Sequence, residues 1–512
     1  EKKMKKGILG LILIVILGYG GATFYFGGQA QSQLKRNVLV FNDALQKQMQ
    51  DAPGPKFQVS LVDYSKGFLS SSARLKFTLD MRSLPVPLPG GQGVQSYEMP
   101  MEIHHGPFIF ALGKMGLAYA TTTARFPEKL ATQAKMFLSE SSELPELQMS
   151  VFIKMDESFR VDADVPKFQI EPKAGMRGNF IWKGMSAVYN VSSNMVNVDG
   201  GAVIEGLSLD SPMAKADVSK IEMNYDVSKA EYDLWIGTGD MSVPSIDVSF
   251  QGMSIFSLAD LSFESKADLD NGLLSMNMRS AMKKAMVRGE NYGPLKFALN
   301  LKNLDAKTFA SVQKLAQQLN NSRYLPRAKS RELMQKLEQQ LPSLVNKGAE
   351  LDLDKFTFTL PQGEIAADVN AKVATGVAMK SILELANHVV INAEIKLPKA
   401  IVENALIKRA ASYIRHQQMR QQLENANKQD AASGDGSDDT MAQGQDNTPK
   451  PMSRSEIRDA AKEKVTNQIQ RLVDKDLLVQ TGSSYIFKFK YDKGLMYLNG
   501  APISKDMLEQ DL

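Results

Sequence analysis

The chain has 512 residues, 43% hydrophobic and 23% charged, with no cysteine. This balance excludes collagen-like, disulfide-stapled and wholly disordered proteins, and it removes thiol nucleophiles, zinc–cysteine sites, iron–sulfur clusters and a lipidated cysteine. Lys+Arg 61 against Asp+Glu 57 leave a net charge of +4, of which the first six residues carry +3, so the body is nearly neutral and lacks the basic excess of a nucleic-acid binder.

Lys2, Lys3, Lys5 and Lys6 precede an uncharged run, 7–26, with Tyr19, Phe24, Tyr25 and Phe26 at its far end. As a helix this run spans roughly 30 Å, one hydrocarbon core. Lysines on one side and aromatics on the other put the basic end in the cytoplasm and the chain after about Gln29 outside. The run is longer than the apolar part of a cleaved leader, so a retained anchor is expected. Glu1 stands where a start methionine is expected, which points to Met4 as the natural start. Leu34, Val38, Phe41, Leu45 and Met49 then recur at helical intervals and predict a helix rising from the membrane, ended by the Pro and Gly of 51–55.

From Phe57 to about Asn300 the period is two. Leu75, Phe77, Leu79 and Met81 alternate with Arg74, Lys76, Thr78 and Asp80, and Met99, Met101 and Ile103 with Pro100, Glu102 and His104. Many strands at short spacing predict antiparallel meanders, since parallel pairing needs long crossovers. Strands are expected at 195–198 and 202–209 among others, and turns at Asp199-Gly200-Gly201, Gly237-Thr238-Gly239-Asp240 and Asn271-Gly272. A short helix is expected over 127–138. Between Asp305 and Val345 the period lengthens to that of a helical hairpin covering a sheet face. Strands resume at 352–360, 364–373 and 389–397, and a helix at 401–423.

The polar stretch 425–452 reads as a flexible loop. Ser453 and Glu456 then form a capping box for a helix with Ile457, Ala461, Val465, Ile469 and Leu472 as its stripe. A hairpin, 485–491 and 495–498 with Asn499-Gly500, closes the chain. The expected fold is α+β and β-dominated: an elongated, curved antiparallel sheet with covering helices, preceded by one N-terminal transmembrane helix. Its expected divisions are a basic tail 1–6, an anchor 7–26, a β-rich region 27–300, a helical hairpin plus strands 301–400, and 401–512.

Chemistry-bearing motifs are sparse. The four histidines are His104, His105, His388 and His416. None has metal-ligand spacing, and adjacent strand residues face opposite ways, so His104 and His105 cannot share an ion. No metal and no cofactor is expected. Ser32/Lys35, Ser280/Lys283 and Ser311/Lys314 match Ser-x-x-Lys without companion motifs, and no Gly-x-Ser-x-Gly elbow occurs. Asp352 and Asp354 share a strand face, read as a solvated edge. The most distinctive string is His105-Gly106-Pro107-Phe108, in which Gly-Pro forces a turn after a strand. His105 is a proton-responsive or headgroup contact or, the favoured reading, an imidazole that fixes the turn. Tyr64-Ser65-Lys66-Gly67-Phe68, followed by Leu69 and Ser70 to Ser72, marks a bend between two strands.

Tyr64 to Ala73, His105 to Phe108, Leu274 to Leu304 and Asp492 to Gly500 resemble, in order and spacing, the YdgA family of bacterial envelope proteins of unknown function, as does the basic N-terminus with its apolar run. The resemblance implies a single-pass protein of a Gram-negative inner membrane with its bulk in the periplasm, and brings no activity or catalytic residue. The residues it singles out are Tyr64, Gly67, Phe68, His105, Gly106, Pro107, Phe108, Asn499 and Gly500. The loop 425–452 looks like an insertion relative to that family.

The function expected is non-enzymatic: a tethered periplasmic protein that binds lipid or other amphipathic envelope components on an apolar sheet face left partly uncovered by helices. The alternatives are a self-associating scaffold, a homo-oligomer paired through edge strands or that face, and an envelope hydrolase using paired carboxylates or a Ser-Lys pair. The expected partners are the inner membrane and lipids or envelope proteins, without nucleic acid.

Overall fold

A computed structural model describes residues 56–80, 94–125, 128–173, 177–320, 327–376, 379, 381–432 and 452–503, with several positions between 31 and 42. The expected anchor, 7–26, and residues 433–451 of the expected loop lie outside the described residues. Among the described residues no helix is long and apolar enough to cross a membrane. The chain forms two compact units, one of 1–294, 298–350 and 373–385, the other of 295–297, 351–372 and 386–512.

In the first unit the period-two sequence becomes a β-dominated antiparallel meander in which each strand pairs with the next. Its strands are β1 (Lys56–Lys66), β2 (Ser70–Asp80), β3 (Val94–His105), β4 (Ala118–Arg125), β5 (Glu146–Ile153), β6 (Phe159–Val165), β7 (Met185–Val191), β8 (Asn197–Ile204), β9 (Ile221–Lys229), β10 (Trp235–Phe250), β11 (Met253–Asp270) and β12 (Leu273–Val287). Residues 298–305 of the strand Leu295–Asp305 also belong to this unit.

Because neighbours in sequence are neighbours in the sheet, alternate connections gather at one end. This turn edge holds the connections 67–69, 106–117, 154–158, 192–196, 230–234 and 271–272. Toward the other end, Phe168–Ile170, Asn179–Trp182, Leu207–Asp210 and Ala214–Val218 continue the pairing as far as the last residues of β10. Backbone bonds from Lys183 to Gly206, from Glu205 to Gly184 and from Ser219 to Ser245, of 2.9, 2.8 and 3.0 Å, carry the ladder across this junction.

Two of the expected turns are corrected. Asp199-Gly200-Gly201 lies inside β8 and Gly237-Thr238-Gly239-Asp240 inside β10, so the strands read as 195–198 and 202–209 are instead β8 and Leu207–Asp210. Gly200 sits opposite Tyr189 on one neighbour and Tyr225 on the other. The two rings stack at 5.4 Å, and a Cβ at Gly200 would come within 2.0 Å of the Val188 carbonyl oxygen. The glycine is there for close approach within a strand, where its sequence signal matches that of a turn. Asn271-Gly272 is a turn, with both residues at positive φ.

Helical residues between 31 and 42 pack on the start of the sheet. Leu34 lies against Ala73, Ile103 and Ala118. The Asn42 amide donates to the Val59 carbonyl at 2.6 Å and accepts from the Val59 N–H at 2.9 Å. The short expected helix is Glu128–Lys135. The expected hairpin is Ala306–Asn320 and Arg327–Val345, its first helix capped by Asp305, which accepts from the Thr308 N–H at 2.8 Å.

In the second unit, Val389–Pro398 pairs with Ser484–Asp492, which pairs in turn with Leu495–Leu498. Helices Lys399–Ala432 and Arg454–Asp474 supply Val402, Leu406, Val465 and Ile469 to a core with Leu478 and Tyr485. The expected capping box is present, and Ile457, Ala461, Val465 and Ile469 are its buried stripe. The helix that starts at Lys399 runs to Ala432, past the expected end at 423. Residues 424–432 contain neither Gly nor Pro, so polarity alone does not end the helix.

Candidate functional site

Seven of the nine residues singled out in the sequence meet at the turn edge of β1, β2 and β3. Tyr64 ends the apolar face of β1, Gly67 and Phe68 form the turn, and His105 closes β3 before a cis Gly106–Pro107 bond. The next residues make a small hairpin, Phe108–Ile109 with Lys114–Met115, in which the Phe108 and Phe110 rings meet edge to face at 5.1 Å. Packing here leaves no room: a Cβ on Gly106 would come within 1.8 Å of the Gly116 carbonyl oxygen. Asn499 and Gly500 belong to the second unit, where they turn the chain between Leu495–Leu498 and Ala501–Ile503. The Asn499 amide donates to the Leu477 carbonyl at 2.9 Å and accepts from the Lys488 N–H at 2.8 Å.

Strand alternation separates the adjacent histidines. His104 faces the polar side, 3.4 Å from Glu102 and stacked on Tyr119. His105 turns inward and is 2% exposed. Its Nε2 is 2.7 Å from the hydroxyl oxygen of Ser71, itself buried, and its Nδ1 has no hydrogen-bond partner. Burial first, then the charges of Lys66 and His104, lower His105 to about 4, so the ring is neutral at neutral pH. Burial also raises the Tyr64 phenol, against an opposing hydrogen bond with Ser71. Tyr64, Ser71 and His105 thus form a polar chain across three strands.

A serine hydroxyl on a histidine nitrogen is the contact that activates a nucleophile. Here both groups are sealed from solvent, so no substrate carbonyl reaches the hydroxyl, and the pair instead ties β2 to the end of β3. Ser71 lies in the string Ser70 to Ser72 that marks the bend, but its contact with His105 is not among the expectations from sequence. Its signal is a serine two residues before Ala73, on the face that Ala73 and Leu75 make apolar. Ser280 and Lys283 do not converge: Ser280 donates to the Ser262 carbonyl at 3.0 Å, whereas Lys283 pairs with Asp260.

The larger feature is the sheet face that His105 shares. Registered pairing aligns its residues in rows across ten strands, β3 to β12. One row runs Ile103, Ala120, Val151, Val161, Tyr189, Gly200, Tyr225, Gly239, Ser265, Met278. The next runs Met101, Thr122, Met149, Ala163, Ala187, Ala202, Met223, Met241, Phe263, Ser280, and the row nearest the turn edge runs His105, Ala118, Ile153, Phe159, Val191, Val198, Val227, Gly237, Ala267, Met276.

The opposite face is polar, as in the row Glu102, Thr121, Ser150, Asp162, Val188, Gly201, Asn224, Asp240, Glu264, Arg279. Leu34 packs on the apolar rows at their β3–β4 end, where Ile103 and Ala118 are buried. From β5 to β12 only Ala187 and Ala202 of the three rows are buried, and the rest stay partly open to solvent. A depression of about 740 Å³ over β10–β12 takes most of its lining, including Asp240, Glu264, Lys266 and Arg279, from the polar side.

The family described as a bacterial protein of unknown function (DUF945) matches residues 4–506. The uncharacterized protein YihF of Escherichia coli (strain K12) is 20% identical over 308 residues, which are 59% of this chain and 62% of that protein. No solved structure matches the chain.

Proposed function

We infer, for a chain that belongs to the bacterial DUF945 family of unknown function, that the apolar rows of the first unit hold acyl chains of lipids or other amphipathic molecules. The observation that carries this reading is the registered apolar track from β3 to β12, partly open to water and backed by a charged face. Nine strand spacings of about 4.8 Å make it roughly 43 Å long. A surface of that extent costs about 25 cal/mol for each Å² of apolar area left in water, and an acyl chain laid along it removes that cost. Met101, Met149, Met223, Met241, Met276 and Met278 give the rows unbranched side chains that adapt to a ligand of variable shape.

In this reading the body works outside the inner membrane, tethered by 7–26, in the setting implied by the resemblance to the YdgA family. The strings at 64–73 and 105–108 support that finer placement within DUF945. The role is one of binding and needs no catalytic residue.

The full chain, purified in mild detergent and exchanged into amphipol, is expected to retain lipid that mass spectrometry quantifies. The double substitution Met223→Asp and Met241→Asp, on paired strands of the track, is expected to lower retention about tenfold, about 1.4 kcal/mol of binding, with the circular dichroism spectrum preserved. Asp240→Asn on the opposite face is expected to leave retention unchanged. Equal lipid in all three proteins, or none in the unsubstituted chain, contradicts the reading.

A further inference from the structure

Large apolar side chains project at the turn edge: Phe68 and Leu69 from the first connection, Phe110 and Met115 from the second, Met155 from the third and Met195 from the fourth. Each is at least 45% exposed, whereas His105 and Ile109, beside and within the second connection, are sealed. Four successive connections with exposed apolar tips make a patch rather than scattered surface residues.

The helical segment between 31 and 42 shows what lies beside this patch. Leu34 packs on Ala73, Ile103 and Ala118, residues near the start of β2, near the end of β3 and at the start of β4, all close to the turn edge. Asn42 is bonded to Val59, which pairs with Phe77 farther down the sheet. From Leu34 to Asn42 the described residues therefore lead away from the turn edge. The uncharged run 7–26 ends five residues before residue 31, at most roughly 18 Å of extended chain.

We propose that the turn edge docks on the surface of the bilayer from which the chain emerges, with Phe68, Leu69, Phe110, Met115 and Met155 seated at the headgroup boundary. The proposal rests on reading 7–26 as the anchor. Lys66, Lys114 and Lys154 lie in or beside the same three connections, where their stems cover apolar surface and their ammonium groups meet lipid phosphates. Asp156 and Glu157 offset part of that charge, so the contact is chiefly apolar. Docking also brings the row that starts at His105, Ala118, Ile153 and Phe159 next to the lipid.

The absence of cysteine allows a direct test. Single variants Phe68→Cys, Phe110→Cys and Met155→Cys of the full chain carry an environment-sensitive fluorophore in vesicles of phosphatidylethanolamine and phosphatidylglycerol. Met253→Cys, at a connection on the opposite end of the strands, and Leu13→Cys, in the anchor run, serve as references. Nitroxide-labelled lipid is expected to quench positions 68, 110 and 155 roughly threefold or more above position 253. Labels at 68 and 110 as open to aqueous iodide as the label at 253, with position 13 in the bilayer, overturn the docking and leave the anchor standing. Lipid quenching at 68 and 110 with position 13 in water removes the anchor and overturns docking on the bilayer from which the chain emerges. Protection from iodide without lipid quenching, lost when the protein is diluted among vesicles, assigns the edge to a second copy of the chain and overturns the proposal.

Discussion

His105 has one ring nitrogen on the Ser71 hydroxyl and the other without a partner, which makes its protonation state a property of the fold. The ring titrates at about 4 in the folded chain, below its ordinary 6.5. Between those values the unfolded chain binds more protons, so the stability it supplies is complete above about pH 6.5 and is lost as the pH falls toward 4. Replacing His105→Gln removes this titration. The melting temperature of the unsubstituted protein is expected to drop more steeply from pH 7 to pH 5 than that of the variant, and parallel curves from calorimetry contradict the assignment. The inward direction of His105 was legible in the sequence because alternation fixes it relative to His104. Its partner was not, since Ser71 is remote in sequence and joined to His105 only by the pairing of β2 with β3.

Elements were legible where their period was unambiguous. The helix Arg454–Asp474 has its box at Ser453 and Glu456 and its stripe at four-residue intervals, and local rules suffice for both. Ser453→Ala, which leaves the Glu456 N–H without its acceptor, is expected to cost about 1 kcal/mol in urea denaturation. Ile457→Ala, on the buried stripe, is expected to cost about 2–5 kcal/mol. A larger loss from Ser453→Ala than from Ile457→Ala contradicts this division between cap and core. The misread elements turned on glycine and on polarity. Gly200 takes its meaning from Tyr189 and Tyr225 across the ladder, and 424–432 is helical because it continues a helix already nucleated upstream.

On the scale of the molecule, the sequence announces strands one by one but not the register that turns ten of them into a track. Each strand contributes only three alternating residues to it, such as Val198, Gly200 and Ala202 from β8 or Met223, Tyr225 and Val227 from β9. Pairing aligns these into rows, and that alignment separates an apolar face from a face carrying Asp162, Asp240, Glu264 and Arg279. The two proposals meet at one place, since the turn edge proposed to dock on the bilayer is the edge nearest the row of His105.

The central claim is that lipid chains lie on the apolar rows. The most direct measurement is cross-linking of the full chain in vesicles containing a phospholipid with a photoactivatable group near the end of one acyl chain, with the adducts mapped by mass spectrometry. Adducts are expected on the rows through Met149, Met223, Met241 and Met278 and not on Asp162, Asn224 or Glu264 of the opposite face. Adducts spread equally over both faces, or confined to 7–26, contradict the account.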